Sequence, residues 1–164
     1  MLMARARGVT LVELMVVMAI AAIGAKLAAP GISQMMANYK VRGAAEAIIS
    51  GLNFARGEAV RRNTPVSFGL ASDGGWTVQQ VSPSSTLLTR SAADLAGTTV
   101  ASSSAATSVT FIATGLVQSG TQMTQVNVSS AVSSTQSRRI NIFGGGLIRM
   151  CDPGVTTTSD PRTC

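Results

Sequence analysis

The pattern of apolar and polar positions changes character twice along the 164-residue chain. The 21 residues from Val9 to Ala29 are almost all apolar; as a helix rising ~1.5 Å per residue they reach roughly 31 Å, about one hydrocarbon thickness. This predicts a membrane-crossing helix. Arg5 and Arg7 precede it, so the positive-inside rule leaves the N-terminus in the cytoplasm and sends the rest of the chain outward, into an oxidising compartment. A removed secretory signal fits less well. Its apolar core usually runs ~7–15 residues, and beyond Pro30 a helical pattern continues where a cleavage loop would open. Lys26, near the far end, has a side chain long enough to reach the interface. Pro30 lacks an N–H and predicts a kink where the helix leaves the bilayer.

Past Pro30 apolar or small residues recur at Val41, Ala45, Ile48, Leu52, Ala55 and Ala59. Steps of three and four place them on one helical stripe fit to pack on a sheet. Lys40, Arg42, Glu46, Arg56, Arg61 and Arg62 fall largely elsewhere, and Glu58 with Arg62 forms an i,i+4 pair. Asn63, Thr64 and Pro65 end the helix.

From Pro65 the period becomes two. PVSFGL, WTVQQV, SVTFIAT, TQVNV and RRINIF each read as a short strand, with turns at Asp73-Gly74-Gly75 and Gly144-Gly145-Gly146. Trp76 is expected to cover a sheet edge or core. The serine-rich stretches Ser102 to Ala106 and Ser129 to Ser134 read as loops.

Composition narrows the chemistry. The chain has no His, one Trp, one Tyr and four Phe, and its formal charge is +6. Without His there is no Ser-His-Asp triad, Cys-His pair or histidine metal site, and the seven acids are scattered. No catalytic residue, metal or cofactor is expected. Cys151 and Cys164 are the only cysteines; in an exported domain they read as a disulfide. It would close a loop of about 14 residues and stabilise by about 3 kcal/mol in the loop-entropy account. Both lie, on this reading, beyond the sheet.

Two stretches carry a family resemblance. Gly8 followed by Val9-Thr10-Leu11-Val12-Glu13, behind a basic leader and ahead of the apolar run, resembles the signature of type IV pilins and pseudopilins. The resemblance implies that a prepilin peptidase cuts between Gly8 and Val9. Val9, standing where Phe is more usual, would become the N-methylated terminus. Glu13 would recruit the subunit and pair with the N-terminal amine of its neighbour. In related pilins the kink, here at Pro30, sets the curvature of the long helix. Leu52, Ala55, Arg56, Glu58, Ala59, Arg62, Pro65 and Val66 in LNFARGEAVRRNTPV resemble the GspH/FimT subgroup, which includes FimU-like minor pilins. Arg56 and Glu58 then take a structural, helix-to-sheet role.

The implied fold is α+β, the type IV pilin fold: a long N-terminal helix, transmembrane in its first half, packed on a C-terminal antiparallel β-domain. The implied organisation is a leader at 1–8, a transmembrane and polymerisation helix at 9–29, its amphipathic continuation at 30–63, and a β-rich domain at 64–164. The implied partners are the prepilin peptidase, an inner-membrane assembly platform, other major and minor pilins, and a tip adhesin. The chain would sit in a bacterial inner membrane in a single pass, its domain in the periplasm, and then in an extracellular fibre.

The expected function is that of a minor pilin in the tip or priming complex of a type IV pilus. Two alternatives stand beside it. One is a type II secretion pseudopilin. The other is binding of double-stranded DNA during uptake, since some FimT-like members use a C-terminal Gly-Arg-x-Arg motif. Here the matching stretch is Gly146-Leu147-Ile148-Arg149, with Leu147 in place of the first Arg. Arg138, Arg139, Arg149 and Arg162 are the candidate phosphate contacts, while an ordinary solvated strand start also accounts for Arg138 and Arg139.

Overall fold

The computed structural model describes residues 8–164; the leader arginines Arg5 and Arg7 lie outside the described residues. A single helix, α1 (Leu11–Arg62), spans both helical segments. Thr10 caps it in an extended conformation, its hydroxyl accepting from the Glu13 N–H at 3.2 Å, and Glu13 in the first turn suits the positive end of the helix dipole. Pro30 lies inside this continuous helix. Asn63 ends it at φ 54°, and the Asn63 and Thr64 N–H groups return to the carbonyls of Val60 and Ala59. Asn tolerates this left-handed position, and Pro65 prevents further turns.

The strands are β1 (Val66–Leu70), β2 (Trp76–Gln80), β3 (Ser85–Arg90), β4 (Thr99–Ser102), β5 (Ser108–Phe111), β6 (Gln125–Ser129), β7 (Arg138–Ile142) and β8 (Ile148–Cys151). They form two four-stranded antiparallel sheets, ordered β3-β2-β1-β5 and β4-β6-β7-β8. Along β1, β2, β6 and β7 buried residues alternate with more open ones, as a sheet covered on one face requires.

The helix stripe covers that face. Val41, Ala45, Ile48, Leu52, Ala55 and Ala59 are all fully buried. Phe68, Val78 and Phe111 come to them from one sheet, and Val126, Val128 and Ile140 from the other, in one continuous core. Each large side chain so buried contributes roughly 1.5–3 kcal/mol. Gly51 brings a sheet residue closer than the stripe itself allows. A Cβ there would lie 2.7 Å from the Trp76 ring, so the absent side chain lets the indole rest on the helix backbone, with Phe68 at a centroid distance of 5.3 Å. Trp76 is thus a core residue.

The structure corrects several sequence expectations. β3, β4 and β8 were not foreseen. β3 carries adjacent Leu87 and Leu88, faces solvent along most of its length and shifts register against β2 at Val78/Gln79, so its period is blurred. β4 buries only Val100. The strand expected over SVTFIAT stops at Phe111, and Ile112 to Leu116 turn back on themselves through hydrogen bonds between their backbones. Ser102 and Ser129 are strand ends, not loop residues. Cys151 is not beyond the sheet: it is the last residue of β8, and its disulfide to Cys164 folds the C-terminal segment back beside that strand, where Asp152 pairs with Thr163.

Candidate assembly helix and C-terminal basic region

The first half of α1 is uncovered. Leu11, Val12, Leu14, Met15, Val16 and Val17 are all more than half exposed, and an 18-residue window of this helix, apolar and long enough to cross a membrane, has none of its residues buried. The core face begins only at Ala37. Gly8 and Val9 precede the helix, outside any regular structure and exposed. Glu13 sits one turn in, exposed, and has no ion-pair partner among the described residues.

The far end of α1 carries a cluster of ion pairs within the helix, from which arginines reach the β-domain. Glu58 is nearly buried and receives Arg61 Nε at 2.9 Å, Arg61 Nη2 at 2.6 Å and Arg62 Nε at 2.6 Å. Arg62 Nη1 also donates to Gln80 Oε1 of β2 at 3.2 Å. Arg56 reaches the opposite side, its Nε donating to the Gly115 carbonyl at 3.0 Å. Arg62 therefore connects the helix to β2 and Arg56 connects it to the turn after β5, while Glu58 holds the two helix arginines beside it.

Hydrogen bonds from Arg61 and then Arg62 hold the Glu58 carboxyl down to about 2. A carboxyl depressed on folding stabilises above its unfolded value of about 4.3, and that contribution is lost as pH falls toward the folded one. Glu58→Gln is expected to lower the urea midpoint at pH 7. The gap from the unsubstituted chain should close as the pH falls from about 4 to 2. A constant gap over that range would show that the charge of Glu58 does not drive the difference.

The four candidate phosphate-binding arginines do not share one open surface. Arg138 is three-quarters covered, pairs with Asp152 and donates to Gln136 Oε1 at 2.9 Å. Arg139, on the opposite face of β7 from buried Ile140, donates to Asn127 Oδ1 at 2.9 Å. Arg149 Nη2 donates to the Pro161 carbonyl at 2.7 Å and clasps the disulfide-closed segment. Arg162 pairs with Asp160 at 2.7 Å and holds that carboxyl down to about 2. Two of the four charges are locally neutralised. In Gly146-Leu147-Ile148-Arg149, Gly146 and the exposed Leu147 lie in the β7–β8 turn, Gly146 beside Arg56 of α1, while Arg149 points to the C-terminal segment.

The glycines of this region escape the motif reading. Gly115 and Gly146 have φ of +78° and +77°, and a Cβ on Gly146 would stand 2.2 Å from the Gly115 carbonyl oxygen and 3.0 Å from Arg56 Nε. The two turns and Arg56 thus form a single junction. A Gly-Leu pair closing each turn, Gly115-Leu116 and Gly146-Leu147, was its only trace in the sequence.

Comparison with known proteins gives two family models. One, described as type II transport protein GspH, matches residues 44–146. The other, the prokaryotic N-terminal methylation motif, matches residues 3–25. Among solved structures, the type IV minor pilin FimU of Pseudomonas aeruginosa strain PAO1 matches with a TM-score of 0.57 at 20% identity, covering 73% of this chain and 96% of that one. The minor pseudopilin EpsH of the Vibrio cholerae type 2 secretion system matches with a TM-score of 0.53 at 13% identity, covering 71% and 99%. No curated protein matches in sequence.

Proposed function

The chain belongs to the GspH family of minor pilins and pseudopilins, and we propose that within it the protein is a minor pilin of a type IV pilus, acting in the tip or priming complex. One observation carries this reading. The first 23 residues of the helix, 11–33, extend uncovered beyond a domain whose own core is complete without them.

On this reading the peptidase removes the leader after Gly8, and Val9 becomes the methylated terminus. The helix waits in the membrane and then leaves lipid for a bundle of like helices, where Glu13 pairs with the amine of a neighbour. The β-domain stays outside the bundle and meets other pilins and a tip adhesin. The protein's own contribution is structural: a membrane-stored handle, a core that fixes the handle's direction, and a disulfide-closed C-terminus.

The secretion alternative keeps specific support, from the description of the matching family and from the fold shared with a type 2 secretion pseudopilin. DNA binding has no comparable support, since Arg138 and Arg162 are paired with carboxylates and Arg149 is occupied by backbone carbonyls. Deleting the gene and counting surface fibres beside an assay of secreted proteins separates the first two readings. Loss of fibres with normal secretion is expected. Normal fibres with lost secretion would assign the chain to a pseudopilus.

A further inference from the structure

Two turns beside the C-terminal end of α1 are built alike. In Ile112-Ala113-Thr114-Gly115-Leu116 the Ile112 N–H bonds the Leu116 carbonyl at 2.9 Å and the Gly115 N–H bonds the Ile112 carbonyl at 2.8 Å. Phe143-Gly144-Gly145-Gly146-Leu147 repeats both bonds, Phe143 to Leu147 at 2.9 Å and Gly146 to Phe143 at 2.8 Å. The turns lie side by side, joined by the Val117 N–H to the Gly144 carbonyl at 3.0 Å. Val60 of α1 closes against them, its Cγ2 3.3 Å from where a Cβ on Gly115 would stand.

This junction presents an apolar surface. Val60, Leu116, Phe143 and Leu147 are 45–60% exposed, although polar residues and glycine are what turns ordinarily carry. One exposed apolar side chain is commonplace; four that meet from three distant segments form a patch, and such patches mark interaction sites. The rim is basic. Arg56 has no ion-pair partner among the described residues, and Arg61, its side chain 65% exposed, shares the Glu58 carboxylate with Arg62. Three positive charges thus stand against one negative charge at this end of the helix.

Lipid does not reach the patch. From Pro30, where the apolar run ends, Val60 stands 30 residues further along the helix, about 45 Å at 1.5 Å per residue. The headgroup layer adds only about 5–7 Å on each side of the hydrocarbon. Nor does a second copy fit, since patch against patch would set arginines against arginines.

We propose that Val60, Leu116, Phe143 and Leu147 form a docking patch for a different protein of the fibre, seated on the side away from the membrane, whose own face sets carboxylates around an apolar centre. The proposal rests on the minor-pilin reading, under which the neighbours of a sparsely used subunit are other proteins. The apolar side chains supply area that is rewarded when it leaves water. Arg56 and Arg61 select an acidic partner over a basic one.

The test uses the full chain in its own cells, with photoreactive benzoylphenylalanine at Leu147 or, as control, at Leu88 on β3, also exposed. In sheared fibres Leu147 should give an adduct with a different protein, identified by mass spectrometry and present in the fibres of unsubstituted cells, at least tenfold above Leu88. Adding Phe143→Ser should lower that yield at least tenfold. Adding Arg61→Gln, which leaves Glu58 bonded to Arg62, should lower it at least threefold. No adduct at Leu147, equal yield at Leu88, an adduct between two copies of this chain, or a yield unchanged by either added substitution would overturn the assignment. Absence of the unsubstituted chain from sheared fibres would sink the minor-pilin reading and the patch with it, whereas a chain present in fibres without the adduct sinks the patch alone.

Discussion

Gly146→Ala is expected to destabilise the protein by about 4 kcal/mol or more, a large share of the roughly 5–15 kcal/mol that holds a domain together. Two costs combine. Gly146 has φ +77°, a conformation that costs an L side chain roughly 1–2 kcal/mol. The added methyl also lands 2.2 Å from the Gly115 carbonyl oxygen, which is itself held by Arg56 from the helix. Neither can yield alone, because the Val117 N–H bonds the Gly144 carbonyl at 3.0 Å and ties the two turns together. Gly145→Ala is the matched control. It lies in the same turn with nothing within 4 Å of its Cβ and no positive φ, and it should cost under about 1 kcal/mol. Urea unfolding of the two variants gives the comparison, and equal midpoints would refute the junction between the turns.

That junction marks the limit of what the sequence shows. The helix was legible because its signals are local: a stripe from Val41 to Ala59, a Thr10 cap and an Asn63-Thr64-Pro65 stop. The five foreseen strands share strong alternation on one covered face. β3, β4 and β8 lack it because each buries at most one residue: β3 none, β4 only Val100 and β8 only Cys151. Cys151 was placed outside the sheet for the same reason, since β8 has four residues and begins directly after a glycine turn. The signature from Gly8 to Glu13 is contiguous and so could be read at once. What Arg56, Gly115 and Gly146 do together could not, because they converge from three distant segments. The resemblance to a Gly-Arg-x-Arg loop pointed to Arg149 as a phosphate contact, and only coordinates show that its guanidinium binds Pro161 and Thr163 carbonyls.

Glu13→Ala should leave membrane insertion and leader removal intact, yet reduce incorporation into sheared fibres by at least tenfold. An acidic side chain in a membrane helix costs roughly 2.5–3.5 kcal/mol at the centre and less near an end. Losing it therefore favours the lipid-held state. Capping survives too, because the contact there is from the Glu13 backbone N–H to Thr10 Oγ1, which Ala preserves. What disappears is a carboxylate exposed in the isolated chain, with no ion-pair partner among the described residues, whose charge would be paired only among neighbouring helices. Glu13→Gln separates charge from shape: it keeps the size and most hydrogen-bonding capacity but cannot form an ion pair with an amine. If pairing drives recruitment, Gln should fail as Ala does. If Gln restores fibre entry, hydrogen bonding suffices and the ion pair is refuted. Unchanged incorporation of both would leave Glu13 an interfacial residue merely tolerated by the membrane, and assembly would rest on the apolar surface alone.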